Sequence, residues 1–189
     1  MHDIGYGLLL LAMAAAGCGG QSSDPGPRPI VGTWDVTTIY GQPMAVSIRE
    51  AMAATGSLDE ESTTPVKATM TIQFQEAGGF RGYTTISAPM RQQVPLGTAR
   101  FLVIVSVVWR GTWTATDARL TTAVTHAETD VTVIPSVIDA LVRQPMQAIA
   151  DVMTQGFIQT ESGPYAVTGD VLTLPDGGAV FARRSDAEL

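Results

Sequence analysis

Cysteine is nearly missing from this chain: among 189 residues there is one, Cys18. A single cysteine excludes an internal disulfide and any metal cluster built on thiolates. Lysine is as scarce, with Lys67 alone beside ten arginines. The arginines are scattered apart from Arg183-Arg184, and the formal net charge is −7. There is thus no basic footprint for nucleic acid, and no nucleic-acid partner is expected. Charged residues make up only 15% against 45% hydrophobic, which excludes a disordered chain. No apolar run approaches the roughly 20 residues that a membrane-spanning helix needs. The two histidines are His2 and His126, so a mature chain would keep one imidazole. Gly-X-Ser-X-Gly is absent, as is any Gly-rich phosphate loop. No catalytic residue, cofactor or metal site is therefore expected, and the chain does not read as an enzyme.

What is present begins at the N-terminus. Leu8 to Ala16 is a short apolar run, too short to span a bilayer but of the length of a signal-peptide core. It ends in Ala15-Ala16-Gly17-Cys18, which resembles the bacterial lipobox. That resemblance implies cleavage before Cys18 and acylation of its sulfur. Gly19 follows, where an aspartate would resemble an inner-membrane retention signal. The expectation is a lipoprotein of the cell envelope, anchored through Cys18 in the outer membrane and facing the periplasm. Acyl chains hold such a protein without any membrane-spanning helix. Residues 1–17 are then the signal peptide and 18–29 a lipidated flexible tether, rich in Gly, Ser and Pro.

From Ile30 onward the pattern is that of strands. Trp34 to Tyr40 is β-branched and aromatic. Met44, Ile48 and Met52 recur at helical spacing after Pro43, which predicts a helix over 44–54. Residues 69–75 alternate cleanly, and Glu76 to Gly79 makes a hairpin turn to a return strand over 80–86. Residues 87–98 hold Pro89 and Pro95 and read as a long loop. Phe101 to Trp109 is the strongest strand, continued across Gly111 to Ala115. Leu120 to Val133 follows as one or two strands. Residues 136–157 return to helical spacing, with Pro145 predicting a kink or a break. Three short strands close the chain, over 165–167, 171–174 and 179–183. The fold expected is mainly β: an antiparallel up-and-down β-barrel of about eight strands over 30–184, with two helical insertions and a short tail at 185–189.

Val31-Gly32-Thr33-Trp34, at the start of the first strand, resembles the Gly-X-Trp opening of lipocalins and bacterial lipocalin-like lipoproteins. Gly111-Thr112-Trp113, the Tyr165 strand and the final Arg183-Arg184 are similar to the rear half of such domains. The resemblance implies a lipocalin-like barrel closed at one end by Gly32, Trp34 and Arg183, with Arg183 or Arg184 matching the arginine that packs across the tryptophan in that family. The Thr-Asp-Tyr signature of classical lipocalins is absent.

Two sites stand out. Met70, Ile72, Phe74, Val103, Val105 and Trp109 share inward strand faces and would line an apolar ligand pocket, with the methionines of the helices as a lid. His126, Glu128 and Asp130 share one face of a strand and read as a solvated outer surface. The function expected is binding or carriage of a small apolar ligand. The alternative is a barrel filled by its own side chains that serves as an interaction or scaffold lipoprotein. The oligomeric state is left open.

Overall fold

The structure is a computed structural model and describes residues 30–94, 97–116, 119–135, 142, 147–148, 151, 154–155, 158–174 and 178–185. Its strands are β1 (Gly32–Ile39), β2 (Lys67–Phe74), β3 (Gly79–Val94), β4 (Gly97–Ala115), β5 (Arg119–Ile134), β6 (Thr160–Pro164), β7 (Ala166–Thr168), β8 (Val171–Leu174) and β9 (Ala179–Arg183). One helix, α1 (Met44–Ala54), lies between β1 and β2.

All nine strands join one sheet in the order β6-β5-β4-β3-β2-β1-β9-β8-β7. Each pairing is antiparallel. The two edge strands, β6 and β7, are neighbours in the chain with Tyr165 alone between them. They act as one bent strand, half laid on β5 and half on β8, which nearly closes the sheet into a barrel. With the two halves counted separately the strands are nine, where about eight were expected. Pro164 lacks the N–H a continuous ladder would use, and the chain turns there. The Tyr165 hydroxyl donates to the Thr116 carbonyl at 3.2 Å and pins the turn to the end of β4.

A second difference lies at residues 87–98. The expected long loop is the distal part of a hairpin, in which β3 and β4 stay paired from Gly79↔Thr112 to Val94↔Gly97. Pro89 sits within it because its missing donor costs nothing there. The Pro89 carbonyl accepts from the Asp59 amide at 3.1 Å, so its backbone polar edge faces away from β4. This is a sheet-edge position, where proline is tolerated. The Leu58↔Met90 bridge and the Arg91 amide donating to the Ser57 carbonyl cover that edge.

Alternation sets the inner face. Phe101, Val103, Val105, Val107 and Trp109 of β4 are all buried. On β5 the phase slips: the register shifts between Arg110 and Gly111, leaving Thr125 unpaired. Leu120 is buried before this bulge, and Ala127 and Val133 after it. Gly111 makes the bulge sterically possible, since a Cβ there would lie 1.9 Å from the Ala123 carbonyl oxygen. A second shift, between Val36 and Thr38 of β1, moves the inner face from Trp34 and Val36 to Ile39.

The core has two parts. The main cluster lies on the inner face of the sheet, and a smaller one of Ile39, Met44 and Ile48 seats α1 against Val36, Met70 and Ile86. Helix α1 thus covers one mouth with the stripe read from its four-residue spacing. Of the two helical insertions expected, α1 is the complete one among the described residues. In 136–157 the positions described are helical, and the rest, Pro145 included, lie outside the described residues. Val142 is fully buried in the main cluster, and the Thr154 and Thr129 hydroxyls are 2.6 Å apart. Val142 therefore reaches the barrel interior. Among the described residues no helix is long and apolar enough to cross a membrane.

Candidate ligand site inside the barrel

The inner faces of β2, β3 and β4 form three adjacent rows. Register places Ile72, Gly82 and Trp109 in one line across them, and Met70, Thr84 and Val107 in the next. A Cβ on Gly82 would meet the Trp109 indole at 2.1 Å, so the indole lies flat across the glycine. The six residues proposed from sequence as a ligand lining, Met70, Ile72, Phe74, Val103, Val105 and Trp109, all belong to the main apolar cluster. Phe74, Val103, Val105 and Trp109 are buried. Met70 and Ile72 point inward yet stay partly exposed, as do Ile86 and Val131. Gly82, Thr84, Ile86 and Val107 belong to the same wall and are absent from the sequence-based lining. The alternation of β3 from Phe80 to Ala88 carries the signal for the first three.

The interior is not wholly apolar. The Thr84 hydroxyl is buried without a hydrogen-bond partner. Glu161 alternates with the exposed Thr160 and Ser162 on β6, and burial pushes its carboxyl above the ordinary carboxylate range.

The end of the barrel where β1 begins is closed by Trp34, which is fully buried. Its indole N–H donates to the Ile30 carbonyl at 2.7 Å. Arg183 is its cross-strand partner and lays its guanidinium 4.2 Å from the ring centroid. The same guanidinium donates to the Val31 carbonyl at 2.9 Å. Gly32 has φ +134°, and a Cβ there would stand 2.7 Å from the Arg183 guanidinium nitrogen. Nearby, Phe74 meets Trp113 edge-on at 5.6 Å. Arg184 turns outward and binds Asp35 through two hydrogen bonds, of 2.8 and 2.6 Å.

Outside the barrel, a cleft of about 310 Å³ lies between α1, residues 58–66 and Pro89. Arg49 and Asp59 both line it, and Asp59 is buried. Arg100 bridges Asp59 and Glu61 beside it, and holds the Glu61 carboxyl below the ordinary range.

His126 and Glu128 are exposed on β5 and hydrogen-bonded to each other at 2.8 Å, with Asp130 exposed beyond them. Among the described residues, no three His, Cys, Asp or Glu side chains are grouped to hold a metal ion. Cys18 and residues 1–29 lie outside the described residues. Comparison with known proteins finds no matching family model, no similar curated protein and no similar solved structure.

Proposed function

We propose that this chain is a lipid-anchored, lipocalin-like barrel that binds or carries a small apolar ligand at the outer membrane, on its periplasmic side. The observation that carries the reading is the partial exposure of Met70 and Ile72 inside a largely apolar wall. Inward side chains that retain exposure leave space between them, and space lined by apolar groups favours apolar occupants. The methionines Met44 and Met52 of α1 lie over the same mouth and can repack around ligands of different shape. The envelope location rests on the apolar leader and on Ala15-Ala16-Gly17-Cys18.

The reading assigns binding and no catalysis. His126, the imidazole farthest along the chain, is engaged with Glu128 on the outer surface and not with a nucleophile. Native mass spectrometry of the protein made in its own host tests the reading. A bound small molecule that is lost on Ile72→Trp is expected; a consistently empty barrel rejects it. For the anchor, Cys18→Ser is expected to release the protein from the membrane fraction, and retention rejects it.

A second reading is favoured by Val142, which reaches the main cluster from the segment after β5. A barrel filled this way would be an interaction or scaffold lipoprotein. An empty barrel in mass spectrometry, together with one dominant protein crosslinked in intact cells, would select it.

A further inference from the structure

Four of the eight described arginines meet a carboxylate or a polar partner. Arg100 bridges Asp59 and Glu61, Arg183 faces Asp170, Arg184 binds Asp35, and Arg119 binds Ser162. Arg49, Arg91, Arg81 and Arg110 do not, and the last two stand side by side. They are direct cross-strand partners on the outer faces of β3 and β4, both exposed, and neither forms an ion pair among the described residues. Like charges directly opposite each other on an antiparallel pair destabilise the sheet. An exposed cross-strand pair of arginines with no ion-paired carboxylate is a place where an anion from outside gains.

The next row along the strands holds Tyr83 and Val108, also cross-strand partners and 46% and 49% exposed, and ends on β5 at Glu128, which is hydrogen-bonded to His126. Two guanidinium groups beside an exposed tyrosine and an aliphatic side chain match the polar–apolar boundary of a bilayer, where phosphates lie next to acyl chains.

We propose that this outer face, Arg81 and Arg110 with Tyr83 and Val108, rests on an anionic phospholipid surface. The inference builds on the lipid-anchor reading. The row runs Thr33, Gln73, Arg81, Arg110, His126 across five strands, so it is level with the start of β1. Cys18 stands twelve residues before Ile30 in sequence, a reach of at most about 40 Å. A chain held at Cys18 keeps this end of the barrel within that distance of the bilayer. The net charge of −7 disfavours an approach by acidic faces, and the arginine pair is where an anionic surface gains. The guanidinium pair takes phosphate oxygens, while Tyr83 and Val108 enter the headgroup boundary.

The test uses the purified lipidated full-length protein loaded on phosphatidylcholine vesicles and mixed with acceptor vesicles containing phosphatidylglycerol. Wild type is expected to favour the acceptors about thirty-fold at low salt, from roughly five-fold per arginine. The preference should collapse at high salt. The double variant Arg81→Gln/Arg110→Gln should distribute almost evenly while melting no lower than wild type, since a like-charge pair is removed. An even distribution of the wild type overturns the proposal. Failure to hold to phosphatidylcholine vesicles overturns the anchor instead, and co-sedimentation with phosphatidylglycerol vesicles then reads the patch directly. A photoreactive residue at position 83 should crosslink to phospholipid in cells; crosslinks to protein alone also overturn the proposal.

Discussion

Arg183 stacks on Trp34 from the neighbouring strand, with its guanidinium carbon 4.2 Å from the ring centroid. One residue opens the barrel and the other ends its last strand, so the contact fastens the two ends of the meander. A guanidinium over a desolvated indole contributes about 1–2 kcal/mol. Arg183→Gln is therefore expected to lower stability by about that amount, plus the loss of its bond to Val31. A double-mutant cycle with Trp34→Leu, read by urea unfolding, should give a coupling of about 1 kcal/mol or more. Additive effects would mean the stacking contributes nothing.

Gly32 lies under that contact. Its φ of +134° strains any other residue, and a Cβ would meet the Arg183 guanidinium. Gly32→Ala should cost about 2 kcal/mol in the wild-type background. In an Arg183→Ala background the cost should shrink to the backbone strain alone. An equal cost in both backgrounds would show that the guanidinium can step aside freely.

Gly111 is the more severe case, because the obstacle is backbone. The Ala123 carbonyl oxygen would stand 1.9 Å from a Cβ, and it cannot move without breaking the β4–β5 bulge. Gly111→Ala is expected to destabilise by about 3 kcal/mol or more. Circular dichroism melting would measure it. A variant that melts like wild type would show that the bulge relocates at little cost.

Glu161 predicts a pH dependence. Burial raises its folded-state pKa above the ordinary carboxylate value of 4.5. The folded state therefore holds the proton more tightly than the unfolded chain. The penalty is absent below pH 4.5, grows as pH rises through the folded-state value, and is complete above it. Glu161→Gln should raise the melting temperature at pH 7 and leave it unchanged at pH 4. A variant equally stabilised at both pH values would assign the effect to packing.

Much of the strand layout is legible in the residues themselves. The alternation in β2 and β4 places Phe74, Val103, Val105 and Trp109 on buried faces, and the spacing of Met44 and Ile48 marks the buried stripe of α1. The errors fall where long-range partners decide. Pro89 looks like a loop residue until the 57–59 segment covers the strand edge it occupies. The interior wall reads as apolar on β2 and β4, whereas on β3 the alternation runs through Gly82 and Thr84, which have no large apolar side chain of their own to mark it.

The amino-acid order alone determines which residues can share a face, since a strand repeats every two residues and a helix every 3.6. It also determines where chains can turn, at Gly78, Gly169 and Gly178, which all adopt positive φ. Tertiary structure decided the rest. The bulges at Thr37 and Thr125 shift the inner face by one residue, and only the pairing partner reveals them. The break at Tyr165 divides one bent strand between two neighbours that meet only when the sheet closes. The stacking of Arg183 on Trp34 likewise exists only after β9 has paired with β1. These features depend on contacts between residues far apart in the chain, and local preference has no means to encode them.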